Sequence, residues 1–311
     1  MSTSVESLPV ALFRRGFFPV SLALGIVAMS FILKYQLPPE LGTLGIPVLS
    51  IILIAIAERI LPFDASWNKP MGDIPADLSS LAVVAFGLEP IFKAIGPGLV
   101  VMVLSWMSLP PTWHIFPVQW PFWAQCLLVI LFIELVKYWF HRINHENPYW
   151  WRLHSVHHAV KRLYWLNGFR IHPVYHVLTY LLGYFPCILA GAPPETLMMH
   201  VVVLGICGGF QHCNIQLNHG IFNYIFSTNE MHRWHHSPDL AEGNKNYGAI
   251  LIIYDLIFGT WYNVPGKSPV IIGFSDEEYY PRNNYWAQLL IPFWWRHWIP
   301  AKPEKPEQPK K

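Results

Sequence analysis

Apolar residues run along this chain in blocks too long and too continuous for the helices of a soluble core. Stretches near 17–34, 44–62, 79–106 and 121–140 each approach the length that crosses a bilayer, about 20 residues at 1.5 Å per residue. The pattern predicts four membrane helices. Two shorter apolar runs, near 174–190 and 195–210, flank "AGAPPE", whose glycine and prolines break the helical period and predict a hairpin, spanning or re-entrant. The third stretch carries Glu89 and Lys93 and then "GPG" at 96–98, which leaves open whether it is one span or two half-spans. The tail "PAKPEKPEQPKK" has nothing to bury and is expected to be disordered. No repeat of fixed period is present.

Composition agrees with the pattern. Apolar residues make up 53% of the chain and charged residues 13%, against about 25% charged in soluble domains. Arg14 and Arg15 precede "GFFPVSLALGIVAMSFIL", but the following "KYQLPPELG" holds no small-residue cleavage site, so the first run is expected to be an uncleaved span. If the spans alternate, Arg14, Arg15, Arg59, Lys69, Lys137, Arg142, Arg152, Lys161, Arg162 and Arg170 fall on one side, predicted to be cytoplasmic, with both termini. A formal charge of +2 without a long basic run excludes nucleic acid as a partner. Cys126, Cys187, Cys207 and Cys213 lie in or beside apolar runs with no CxxC spacing and are expected to be small buried side chains.

The chemistry lies in the histidines. Thirteen of 15 fall between His141 and His236; His114 and His297 lie outside and are read as ordinary interfacial residues. On a helix, positions four apart share a face. His141 and His145 in "HRINH" can therefore aim at one point, as can His154, His157 and His158 in "HSVHH" and His232, His235 and His236 in "HRWHH". A single HxxxH is common by chance and needs no metal. Three such groups at the end of a membrane helix are different, because imidazoles crowded in a low-dielectric site without a partner cost about 1–3 kcal/mol each. Eight rings suffice for two metal ions. Imidazole suits zinc, copper, iron and nickel, but a structural zinc site usually recruits cysteine, whereas nitrogen-held metals beside a membrane suit redox chemistry with dioxygen. Iron is the first choice.

At these residues the chain resembles the fatty acid hydroxylase superfamily, also called the sterol desaturase family, of membrane di-iron oxygenases. The resemblance covers roughly 58–263 and rests on "ERILPFDASWNKPMGD", "HRINH", "NPYWWRLHSVHH", "RIHP", "FQHCNIQL", "STNEMHRWHHS" and "NYGAILIIYDLIFGTWY" in that order. It implies an all-α integral membrane fold, a transmembrane bundle with a cytosolic helical cap holding a histidine-rich dimetal site. The implied divisions are a cytoplasmic segment at 1–16, membrane helices at 17–120, a catalytic region at 121–264, and an interfacial segment with a tail at 265–311.

Carried over position by position, the resemblance gives as metal ligands His141, His145, His154, His157, His158, His232, His235 and His236, with His212 added from "FQHCN". His172 in "RIHP" is left between ligand and second layer. Glu134 stands where the family usually has Asp, and Asn214 and Asp255 are candidates for orienting an imidazole through its other nitrogen. His176, His200 and His219 are expected to be structural. The resemblance also implies two iron ions, O2 as co-substrate, a lipid drawn from the bilayer, and electrons from a separate reductase, ferredoxin or cytochrome, since neither a dinucleotide fingerprint nor a CxxCH haem motif is present. Hydroxylation and desaturation stay open, because both use one site. A histidine-based metal transporter is disfavoured because, apart from Glu89 and Lys93, the spans are read as free of ionisable residues; a zinc hydrolase would differ in needing no oxygen.

Overall fold

In the computed structural model, which describes residues 7–110, 112–274 and 279–298, the chain is helical, with no strand among the described residues. The expectations for the side chain of His297, for residues 1–6 and for the tail lie outside the described residues. Four helices are long and apolar enough to cross a membrane: α1 (Leu8–Lys34), α2 (Leu41–Ile60), α3 (Ile74–Trp106) and α4 (Phe122–Glu146). The third run is one helix, and the hairpin around "AGAPPE" forms α6 (Pro173–Leu189) and α7 (Pro194–Gln211). Between α4 and α6 comes α5 (Pro148–His158), and after α7 come α8 (Asn229–His235), α9 (Leu240–Gly243), α10 (Ile253–Ile257), α11 (Tyr285–Gln288) and α12 (Ile291–Trp298).

Proline shapes the long helices without ending them. Widened π turns at Leu41–Gly45, Ala82–Leu88 and Tyr180–Tyr184 each stop just before Pro47, Pro90 or Pro186. A proline lacks an N–H and its ring collides with the carbonyl four residues back; an extra residue in the preceding turn moves that carbonyl aside and lets the helix continue. This accounts for the continuation of α3 past Pro90, while Pro97 lies within its regular α-helical part.

The bundle packs around α7. Met199, Val202, Val203, Ile206, Cys207 and Phe210 bury against Phe18, Leu22 and Met29 of α1 and Ile54 and Ala57 of α2. Small residues set the approach: a Cβ on Gly25 would lie 2.3 Å from Ile206, and one on Gly205 2.7 Å from Pro47, the close contact by which helices associate in lipid. Outward residues are apolar, as Trp106 at 84% exposure shows.

The spans hold more ionisable residues than the sequence reading counted. Glu58, Asp77, Glu134 and Lys137 all lie within them, and three of these four tie the bundle to the loops that reach the histidines. Glu58 accepts hydrogen bonds from the backbone of Trp165 (2.8 Å) and Asn214 (2.9 Å). Asp77 accepts from the Arg170 guanidinium at 2.6 Å and the Tyr164 hydroxyl at 2.6 Å. Glu134 accepts from the backbone of Ile250 and Leu251.

Candidate metal centre

Each histidine motif is delivered by a local rule of chain geometry. Asn147 leaves helical conformation and its side chain accepts hydrogen bonds from the backbone of Tyr149 and Trp150, while Pro148 occupies the first position of α5. This cap and proline end α4 and restart the chain as α5. His141 and His145 then sit on the last turns of α4, and His154, His157 and His158 on the last turns of α5. The Thr228 hydroxyl caps α8 by accepting from the Met231 backbone, which sets His232 and His235 on one face. His212 follows the last residue of α7.

These nine rings divide into two groups. His141, His145, His154, His158 and His235 present nitrogens within 4.8 Å of one another, as do His157, His212, His232 and His236. The split runs through the motifs, since each of the two HxxHH segments supplies both groups.

The outer nitrogens fix the tautomers. The Nδ1 of His141 lies 2.7 Å from the Tyr247 carbonyl, that of His235 2.8 Å from the Lys245 carbonyl, and that of His157 3.2 Å from the Arg170 carbonyl. His212 Nδ1 lies 2.8 Å from Asn167 Oδ1, the acceptor end of an amide whose nitrogen donates to the Arg162 carbonyl. Facing an acceptor, each Nδ1 must carry the hydrogen, which leaves a bare lone pair on Nε2.

A proton count then tests whether the groups suit a metal. In the first group the Nε2 atoms of His141, His154, His158 and His235 form a chain with contacts of 2.8, 3.1 and 3.1 Å. The end members hold no Nε2 proton, so at most two protons, on His154 and His158, serve three contacts. In the second group His157 and His212 face each other through two bare lone pairs at 3.2 Å. Neutral rings therefore leave at least one repulsive contact in each group. Charging a ring does not relieve it cheaply: burial and the neighbouring rings hold His154, His158, His212, His232, His235 and His236 well below the usual histidine range, and His157 at about 3. A cation between inward lone pairs satisfies both groups, and the buried, unpartnered Nε2 of His145 adds a further donor. The residues fit a pair of metal ions held by imidazole.

The other candidates stand outside both groups. Asp255 binds the backbone N–H of Tyr247 (2.8 Å) and Gly248 (2.9 Å) and the Thr260 hydroxyl (2.7 Å); burial raises it to about 6. It reaches His141 only through the Tyr247 carbonyl. Asn214 bonds to the backbone of Asp64, and Glu134 to the 250–251 backbone, without touching an imidazole. His172 caps α6 through Nδ1 and meets the Leu289 carbonyl through Nε2. His176 pairs with Glu89, His200 with Tyr184 and His219 with Asn229.

Sequence reasoning missed the residues that aim the rings. Asn167, Asn244 and the carbonyls of Arg170, Lys245 and Tyr247 act through loop geometry, for which the sequence holds no spacing rule. Tyr247 was visible only as part of the closing motif. Its ring lies 5.5, 5.3 and 5.8 Å from His141, His145 and His235, and its hydroxyl is buried without a partner.

The first group also has an opening. A cleft of about 300 Å³ is lined by His145, His158 and His235 together with Trp151, Leu240, Phe274 and Trp295. No residue of the second group lines it.

Against protein-family models, residues 126–260 match "Fatty acid hydroxylase". An ornithine lipid hydroxylase of Rhizobium tropici is 35% identical over 246 residues, 78% of this chain and 73% of that protein. The alkylglycerol monooxygenase of Homo sapiens is 27% identical over 211 residues, 66% of this chain and 46% of that protein. Methylsterol monooxygenase 2-2 of Arabidopsis thaliana is 26% identical over 176 residues, 55% of this chain and 60% of that protein. The chain thus spans less than two thirds of the last two. No solved structure matches.

Proposed function

This chain belongs to the fatty acid hydroxylase family of oxidoreductases, and on that premise we propose that it hydroxylates a C–H bond of a membrane lipid, using O2 and two iron ions held by the nine histidines. The observation that carries this reading is the pair of imidazole groups whose inward lone pairs have too few protons to satisfy them, set at one end of a bundle with lipid-facing sides. The overall change is RH + O2 + 2 e⁻ + 2 H⁺ → ROH + H2O. Iron bound at these groups would supply the activation of dioxygen and the removal of hydrogen from an unactivated carbon.

The chain's own residues do the rest. The carbonyls of Tyr247, Lys245 and Arg170 and the Asn167 amide hold protons on the outer nitrogens and keep the inner ones free. Burial shields the four-ring group from water, whereas the five-ring group opens to the cleft. The Tyr247 ring lies beside the first group, and its hydroxyl, raised above its ordinary range by burial, stays protonated. With the basic residues at this end of the bundle, the site and both termini face the cytoplasm; electrons come from a separate reductase, ferredoxin or cytochrome.

Lipid mass spectrometry of cells with and without the protein tests the reading, with His235→Ala as the comparison. A gain of about 16 mass units on one lipid class, lost in the variant, is expected. A loss of about 2 would assign desaturation, and unchanged lipids under aeration would contradict both.

A further inference from the structure

The cleft over the first histidine group raises the question of what enters it. Trp151, Leu240, Phe274 and Trp295 form an apolar side, Glu146, Ser237 and Asn244 join the histidines on a polar one, and the volume of about 300 Å³ is at the lower end of sites that take small ligands or chain segments. One wall, Trp295, comes from the C-terminal segment, and the position of that segment can be read from its packing. Tyr285 is buried with Ala76 and Val156, and Leu289 and Val83 pack against the same cluster. Helix α3 has 33 residues, about 50 Å at 1.5 Å per residue, whereas the hydrocarbon core is about 30 Å thick. An excess of about 10 Å at each end puts Val83, nine positions after Ile74, near the boundary between headgroups and acyl chains. The C-terminal segment lies at that depth.

Its outward side suits that depth. Trp286 (61% exposed), Phe293 (72%) and Trp294 (57%) face away from the protein, with Leu290 beside them, while Tyr285, Gln288 and Ile291 are buried inward. Aromatic rings of this kind settle at the membrane interface. The segment is held to α5 by Arg152, which donates to the Pro292 carbonyl and sets its guanidinium 4.9 Å from the Tyr149 ring and 5.7 Å from the Trp295 ring. The cleft therefore opens beside an outward aromatic lip.

We propose that this cleft is a lateral lipid port: residues 285–295 form its bilayer-facing lip, and an acyl-chain lipid enters between Trp151 and Leu240 on one side and Phe274 and Trp295 on the other to reach the first histidine group. The proposal rests on the lipid-oxidation reading for its purpose but not for its test.

The test uses the full chain in phosphatidylcholine vesicles doped with a phosphatidylcholine that carries a diazirine on its acyl chain, followed by illumination and peptide mapping. Adducts are expected on Trp151, Leu240, Phe274 or Trp295 as well as on outward residues such as Phe86. Leu240→Trp, which narrows the mouth, should lower the cleft adducts several-fold while leaving those on Phe86 unchanged, a built-in control for folding and insertion. Phe293→Asp combined with Trp294→Asp should do the same by lifting the lip from the bilayer. Adducts confined to the outward faces of the spans would overturn the port. Hydroxylation measured in parallel separates the two ideas: lipid oxidation without cleft adducts removes the port alone, and cleft adducts without oxidation remove the functional reading alone.

Discussion

The two histidine groups are built from the same motifs and differ in how they are held and reached. The five-ring group is aimed by the 244–248 loop, where Asn244, Lys245 and Tyr247 meet His145, His235 and His141, and it opens to a cleft. The four-ring group is aimed by the 162–170 loop through Asn167 and Arg170, and it lies between α5, α7 and α8. The braces differ as well. Asp255 holds the first loop through backbone N–H groups, and a Cβ on Gly248 would meet the Leu251 carbonyl at 2.2 Å, so the loop closes only around glycine. The second loop hangs on the buried Arg170–Asp77 ion pair. One group is thus arranged for access and the other for rigidity.

Breaking the rigid side should have the largest effect. Asp77→Asn leaves the Arg170 guanidinium buried without its counter-charge, which costs about 3–5 kcal/mol; a marked fall in Tm and loss of metal from the four-ring group are expected, read by calorimetry and metal analysis. An unchanged Tm would remove the ion pair from the account.

Milder changes should separate the groups. Asn167→Ala frees the His212 ring and Asp255→Asn loosens the carbonyl behind His141, each expected to weaken metal affinity by about 10–100-fold, the first in the four-ring group and the second in the five-ring group. Chelator titration of each variant distinguishes them, and identical release profiles would show that the braces do not act separately.

The pH response follows from burial. His157 titrates at about 3 and the other rings named above lie well below their ordinary range, whereas the unfolded chain titrates near 6.5. Between those values the unfolded state binds more protons, so stability falls as pH drops from about 6.5 toward 3. The Tm of chelator-treated protein should fall over that window and stay level above it; a flat profile would contradict buried neutral rings.

Tyr247→Phe is expected to have the smallest effect. Removing only the unpartnered hydroxyl should leave metal content and Tm unchanged and reduce turnover several-fold. Lost metal would instead assign the ring a packing role.

Much of this was legible in the sequence. Helix periodicity put His141 and His145, and the i, i+4 pairs His154/His158 and His232/His236, on common faces, and the apolar runs located the spans to within a turn or two except at the N-terminus of α1. The division into groups was not legible: His157 and His158 are adjacent in the chain yet belong to different groups, because adjacent residues on a helix point about 100° apart and only tertiary packing decides what each faces. The braces escaped for a similar reason, since Asp255 and Asp77 act through backbone and guanidinium contacts across loops. Glu134 was singled out as a candidate for orienting an imidazole, but its actual partner, the 250–251 backbone, lies more than a hundred residues away and has no sequence signal.

Each group is expected to hold its own metal ion, and metal content of the purified full chain measures that directly. Two iron ions per chain are predicted, falling to one in His212→Ala with the five-ring group still loaded. Protein that carries no metal, or a variant that keeps the wild-type count, would contradict it.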